Sequence, residues 1–65
     1  MRLLAERIRF LRQQAELTQE QMQDWGFNYR YYQEIESGTA NITVKTINRL
    51  AKAFKVPPIE LFRFD

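Results

Sequence analysis

The chain has 65 residues, ten Lys or Arg against eight Asp or Glu, a net charge of +2, and neither cysteine nor histidine. That length holds one domain near the lower limit at which a core sustains a fold unaided, and leaves no room for a separate catalytic domain. Without cysteine there is no disulfide or thiolate zinc site, and no acidic run has calcium-loop spacing, so neither metal nor cofactor is expected. The first ten residues, MRLLAERIRF, interleave charge with apolar side chains and lack the unbroken apolar run of a signal peptide or membrane helix, so a cytoplasmic location is expected.

A first helix is predicted over about 3–14, where Leu4, Ile8, Leu11 and Ala15 share an apolar face and arginines crowd the opposite one. Thr18 and Gln21 have capping-box spacing and open a second helix over 19–24, with Met22 and Trp25 inward. Gly26 breaks it. Asn28 caps a third helix over 29–36, which buries Tyr32 and Ile35 and stops at Gly38, where a left-handed C-terminal cap is expected. After a loop from Thr39 to Ile42, Thr43 caps a fourth helix over 44–54, with Val44, Ile47, Leu50, Ala51 and Phe54 at helical spacing. Pro57 and Pro58 stop it because neither supplies an amide donor, and Pro58 can open a last short helix over 58–62. Trp25, Phe27 and Phe54 are assigned to the core, and Phe62 either to the core or, with Phe64, to an exposed surface. Five helices with short connections predict one compact all-α domain over 1–65.

Two short helices around a tight turn, Leu17 to Gly38, suit insertion of the second helix into a DNA major groove. Leu11-Arg12, LTQE at Leu17–Glu20, Gly26, IESG at Ile35–Gly38 and NITVKTINRLAKAFKV at Asn41–Val56 follow in one order and spacing. In these positions the chain resembles the Cro/repressor-type, or Xre-like, helix-turn-helix proteins over nearly its full length. Two positions depart from the family pattern. The second helix is one residue short, with the gap placed near Trp25, and Glu16 stands where a glycine usually closes the first helix. The resemblance implies a five-helix domain of the lambda-repressor-like type that binds operator DNA as a two-fold dimer and regulates transcription, as a repressor. It also implies that Arg12 pairs with Glu36 and fixes the first helix to the third.

The candidate DNA contacts are Gln19, Asn28, Tyr29, Arg30, Tyr31, Gln33, Glu34, Asn41 and Lys45. Gln19 follows the Thr18 cap at the positive end of the second helix, where phosphate is favoured, and the family position typically touches phosphate or a base edge. Asn28 is explained by capping alone, with phosphate contact as a second role. Tyr29 and Arg30 occupy the first turn, the part of a recognition helix that reaches bases. An arginine there can bond both O6 and N7 of guanine; its alternative is an ordinary surface pair with Glu34 at i+4. Gln33 and Glu34 share the exposed face one turn on, where an amide can read adenine and a carboxylate can accept from cytosine. Tyr31 lies on the flank between core and groove, while Asn41, with Lys45 adding charge, faces the next phosphates.

Duplex DNA is therefore the expected partner, with a homodimer through an exposed Phe62 and Phe64 and no membrane contact. Two other readings compete with it. The same domain can serve as a protein-interaction module, such as the antitoxin half of a toxin-antitoxin pair. Three clustered tyrosines can stack single-stranded bases, although such platforms usually sit on sheets. Catalysis is not expected, because no nucleophile with an oriented base is present.

Overall fold

A computed structural model describes residues 2–64. Three α-helices and two 3-10 segments follow one another without a strand among the described residues: α1 (Arg2–Gln14), a 3-10 segment (Glu20–Trp25), α2 (Tyr29–Ser37), α3 (Val44–Phe54) and a second 3-10 segment (Pro58–Phe62). The architecture is all-α, with the helices wrapped around a core in which Ile8, Met22, Tyr32, Ile35, Leu50 and Leu61 are fully buried.

α1 buries Leu4, Ala5, Ile8 and Leu11 along one stripe. It ends in a Schellman turn: the Leu17 amide bonds the Arg12 carbonyl and the Glu16 amide bonds the Gln13 carbonyl. Glu16 occupies the left-handed position of that turn, at φ 61. A second such turn closes α3, where Lys55 stands at φ 59 ahead of Pro57 and Pro58. Both side chains occupy backbone conformations that glycine adopts without steric cost.

Thr18 and Gln21 form the reciprocal capping box their spacing announces, with Thr18 Oγ1 accepting from the Gln21 amide at 3.1 Å and Gln21 Oε1 from the Thr18 amide at 2.8 Å. The six residues Glu20–Trp25 are wound as a 3-10 helix. At roughly 2.0 Å rise they cover about 12 Å, against about 9 Å at the α-helical rise, so the tighter winding carries six residues further along the axis. Gly26, at φ 89, then reverses the chain.

Trp25 does not enter the core. It remains 38% exposed, while Phe27, beyond the turn at Gly26, is the aromatic that is buried, with its ring edge-on to Tyr32 at 5.5 Å. Phe62 is also outside the core, at 46% exposed, since Leu61 takes the buried place in the last 3-10 segment. Val44 keeps helical spacing but is 78% exposed, because as the first residue of α3 it lies beyond the apolar stripe that begins at Ile47.

Candidate nucleic-acid interface

α2 is positioned from both ends by local chemistry. Asn28, in extended conformation, accepts from the Tyr31 amide at its N-terminus. At its C-terminus Gly38, at φ 84, lets its own amide and that of Thr39 bond back onto the Ile35 and Glu34 carbonyls. Between these caps Tyr32, Ile35 and Glu36 face inward, so Arg30, Gln33, Glu34 and Ser37 are left facing out.

The buried carboxylate of Glu36 is the support behind that outward face. Arg12 Nε lies 2.6 Å from Glu36 Oε2 and Arg12 Nη2 lies 3.2 Å from Oε1. The Tyr32 hydroxyl donates to Oε2, Gln19 Nε2 donates to Oε1 at 3.0 Å, and Arg9 Nε approaches Oε1 at 3.4 Å. Arg12 also donates to the Leu17 carbonyl at 2.8 Å, which ties in the end of the α1 turn. Burial alone would raise the Glu36 carboxyl, but hydrogen bonds from Arg12, Tyr32 and Gln19 outweigh it and hold the group below its ordinary value. The same contact with Glu36 raises Arg12 despite its own desolvation. Burial first, and then the neighbouring carboxylate, push the Tyr32 hydroxyl up, so it stays a neutral donor.

Gln19 is thus not an ordinary solvated glutamine. The residue is half-buried, and one of its two amide N–H groups is occupied by Glu36. Tyr29 is half-buried: its hydroxyl accepts from Gln33 Nε2 at 3.1 Å and reaches Glu20 Oε2 at 3.5 Å, linking α2 to the first 3-10 segment. The Arg30 side chain is 90% exposed and touches Glu34 only at 4.0 Å, so the guanidinium is available at the surface. Tyr31 lies half-buried on the flank and donates to the Asn41 carbonyl at 2.8 Å, pinning the loop after α2. Asn41 and Lys45 are exposed on that side, one in the loop and the other in the first turn of α3.

The arginines of α1 each lie within ion-pair distance of a carboxylate. Arg2 pairs with Glu6, Arg7 with Glu60, and Arg9 and Arg12 with Glu36. Arg49 is not among the candidate contacts read from the sequence. Its guanidinium lies 5.7 Å over the Phe27 ring and donates to the Gly26 carbonyl at 3.3 Å, bracing the turn into α2. A lone arginine on a helical repeat carries no sign of that distant contact.

A capped short helix, a glycine reversal and a second capped helix with a polar outer face make a helix-turn-helix. The family described as helix-turn-helix domain matches residues 5–63, and the chain belongs to this DNA-binding family. No curated protein and no solved structure matches the chain. Among the described residues, no helix is long and apolar enough to cross a membrane.

Proposed function

We propose that this chain is a sequence-specific regulator of transcription, a repressor, that reads duplex DNA with α2 in the major groove. The observation that carries the reading is the pairing of an exposed Arg30, Gln33 and Glu34 with a rigid inner face, Tyr32, Ile35 and Glu36, on one short capped helix. A helix about 10–12 Å across fits a groove about 12 Å wide, and its first turn is the part that reaches base edges.

In this reading Arg30 bonds guanine while Gln33 and Glu34 read the neighbouring bases. Tyr29 supports them and gives its ring to the groove wall. Gln19, Asn28, Asn41 and Lys45 hold the phosphates on either side, and Tyr31 sets the loop that carries Asn41. Gln19 keeps one amide hydrogen for phosphate, since the other is taken by Glu36.

The protein acts as a cytoplasmic homodimer without catalytic activity. Phe62 and Phe64, both close to half exposed with ring centroids 6.5 Å apart, supply the apolar contact between copies. A two-fold dimer of this kind spans half-sites roughly 34 Å apart.

Selection of bound duplexes from a random pool tests the proposal. The expected result is a recovered site with two symmetric half-sites. Recovery of no common sequence would overturn it.

A further inference from the structure

Arg2, Arg7, Arg9, Arg12, Arg30 and Arg63 each lie within ion-pair distance of a carboxylate. The remaining cations of the chain, Lys45, Arg49, Lys52 and Lys55, form no ion pair among the described residues, and all stand on α3 or its C-cap. α3 contains no Asp or Glu. Within a chain of net charge +2, α3 and its C-cap thus carry four cations and no carboxylate.

Lys45, Asn48, Arg49 and Lys52 recur at i, i+3, i+4 and i+7, which places them on one helix face. They line a shallow hollow, and Asn48 and Lys52 also border a second one that continues to Lys55. Arg49 joins this stripe to the turn ahead of α2 through the Gly26 carbonyl and the Phe27 ring.

We infer that this face of α3 is an anion-binding surface that takes the phosphodiester backbone of duplex DNA. The inference rests on the duplex-DNA reading above but not on the residues proposed to read bases. Charge complementarity supplies the attraction, and an extended row of cations suits a polyanion whose charge repeats along its length. Lys45, Arg49 and Lys52 step about 6 and then about 4.5 Å along the helix axis, a span of roughly 10 Å. One DNA strand offers a phosphate every 3.4 Å or so of its axis, so a row of cations about 10 Å long runs past several of them. The Arg49 contact also places the stripe beside the entry to α2, so backbone held there adjoins the groove that α2 would occupy.

Binding is measured by fluorescence anisotropy at a series of KCl concentrations, on the selected duplex and on an unrelated duplex of equal length. Lys52→Gln/Lys55→Gln is compared with wild type and with Arg30→Ala, and thermal melts confirm that each variant is folded. The double variant is expected to weaken binding to both duplexes by the same factor and to reduce the slope of log K against log[KCl] by about 2, near 0.9 for each lost phosphate contact. Lys52→Glu alone should reduce it at least as much as Lys52→Gln. An unchanged slope and unchanged affinity in these variants would overturn the inference and leave the face to an acidic protein partner. The base-reading proposal fails separately: Arg30→Ala would then leave the ratio between the two duplexes unchanged, whatever the salt slope does.

Discussion

Arg12 Nε and Glu36 Oε2 stand 2.6 Å apart and join the last turn of α1 to the last turn of α2. Arg12 is largely and Glu36 almost wholly withdrawn from water, with exposures of 12% and 1%. Glu36 in turn holds Gln19, so one carboxylate links α1, α2 and the start of the first 3-10 segment. The orientation of the proposed reading helix depends on an ion pair that itself points away from the groove.

Arg12→Ala should lower the free energy of unfolding by roughly 3–5 kcal/mol, because the Glu36 charge is left buried with weaker partners. Urea denaturation at neutral pH measures it. A loss under about 1 kcal/mol would show that the pair does not anchor the helices.

Stability should also depend on pH through Glu36. Its folded carboxyl lies below the ordinary value of 4.5, so its contribution is fully present above that pH and is lost as pH falls through the folded value. Urea midpoints should hold level from neutral pH down to about 4.5 and then decline. In Glu36→Gln the decline should be shallower and the starting stability lower. An identical acid limb in both proteins would count against this linkage.

Glu16→Gly and Lys55→Gly should each stabilise the fold by about 1 kcal/mol, since each relieves a side chain from the left-handed region. The two sites close different helices, so the gains should add in the double variant. Thermal melts read the effect, and a destabilised Glu16→Gly protein would refute it.

Arg30→Ala should cost roughly 1–3 kcal/mol of discrimination, about 5- to 140-fold between the selected duplex and one altered at the guanine it contacts. Folding should be unaffected, because the side chain is 90% exposed and its contact with Glu34 is long. Competition binding with single-base variants of the site supplies the measurement.

Phe62→Ser and Phe64→Ser should shift the protein toward monomer by about tenfold or more in dissociation constant, given roughly 1.5–3 kcal/mol for fully burying an aromatic side chain. Sedimentation equilibrium would show it. A dimer of unchanged strength would remove this surface from consideration.

Features that depend on one turn of chain are legible from the residues alone. Thr18, Asn28 and Thr43 cap helices, and Gly38 ends one, because each acts on amides or carbonyls only a few residues away. The strain at Glu16 is foreseeable from the missing glycine, whereas the same strain at Lys55 is hidden behind two prolines that already explain the helix end. Trp25 is misplaced by periodicity, which does not show that Phe27, beyond a glycine, competes for the same space.

Residue order alone set the helices, their caps, the apolar stripes and the helix-turn-helix arrangement, since these arise from side chains acting within a few residues of one another. Which charges are spent and which remain was settled by packing in three dimensions. Arg7 meets Glu60 across 53 positions, and Arg9 and Arg12 meet Glu36 across 27 and 24. Each arginine of the first helix thereby gains a carboxylate within ion-pair distance, and α3 is left with the unpaired cations. The cations of the fourth helix are visible in the residue order, but charge pairing depends on distance in space rather than along the chain, so only the fold shows that they stay unpaired.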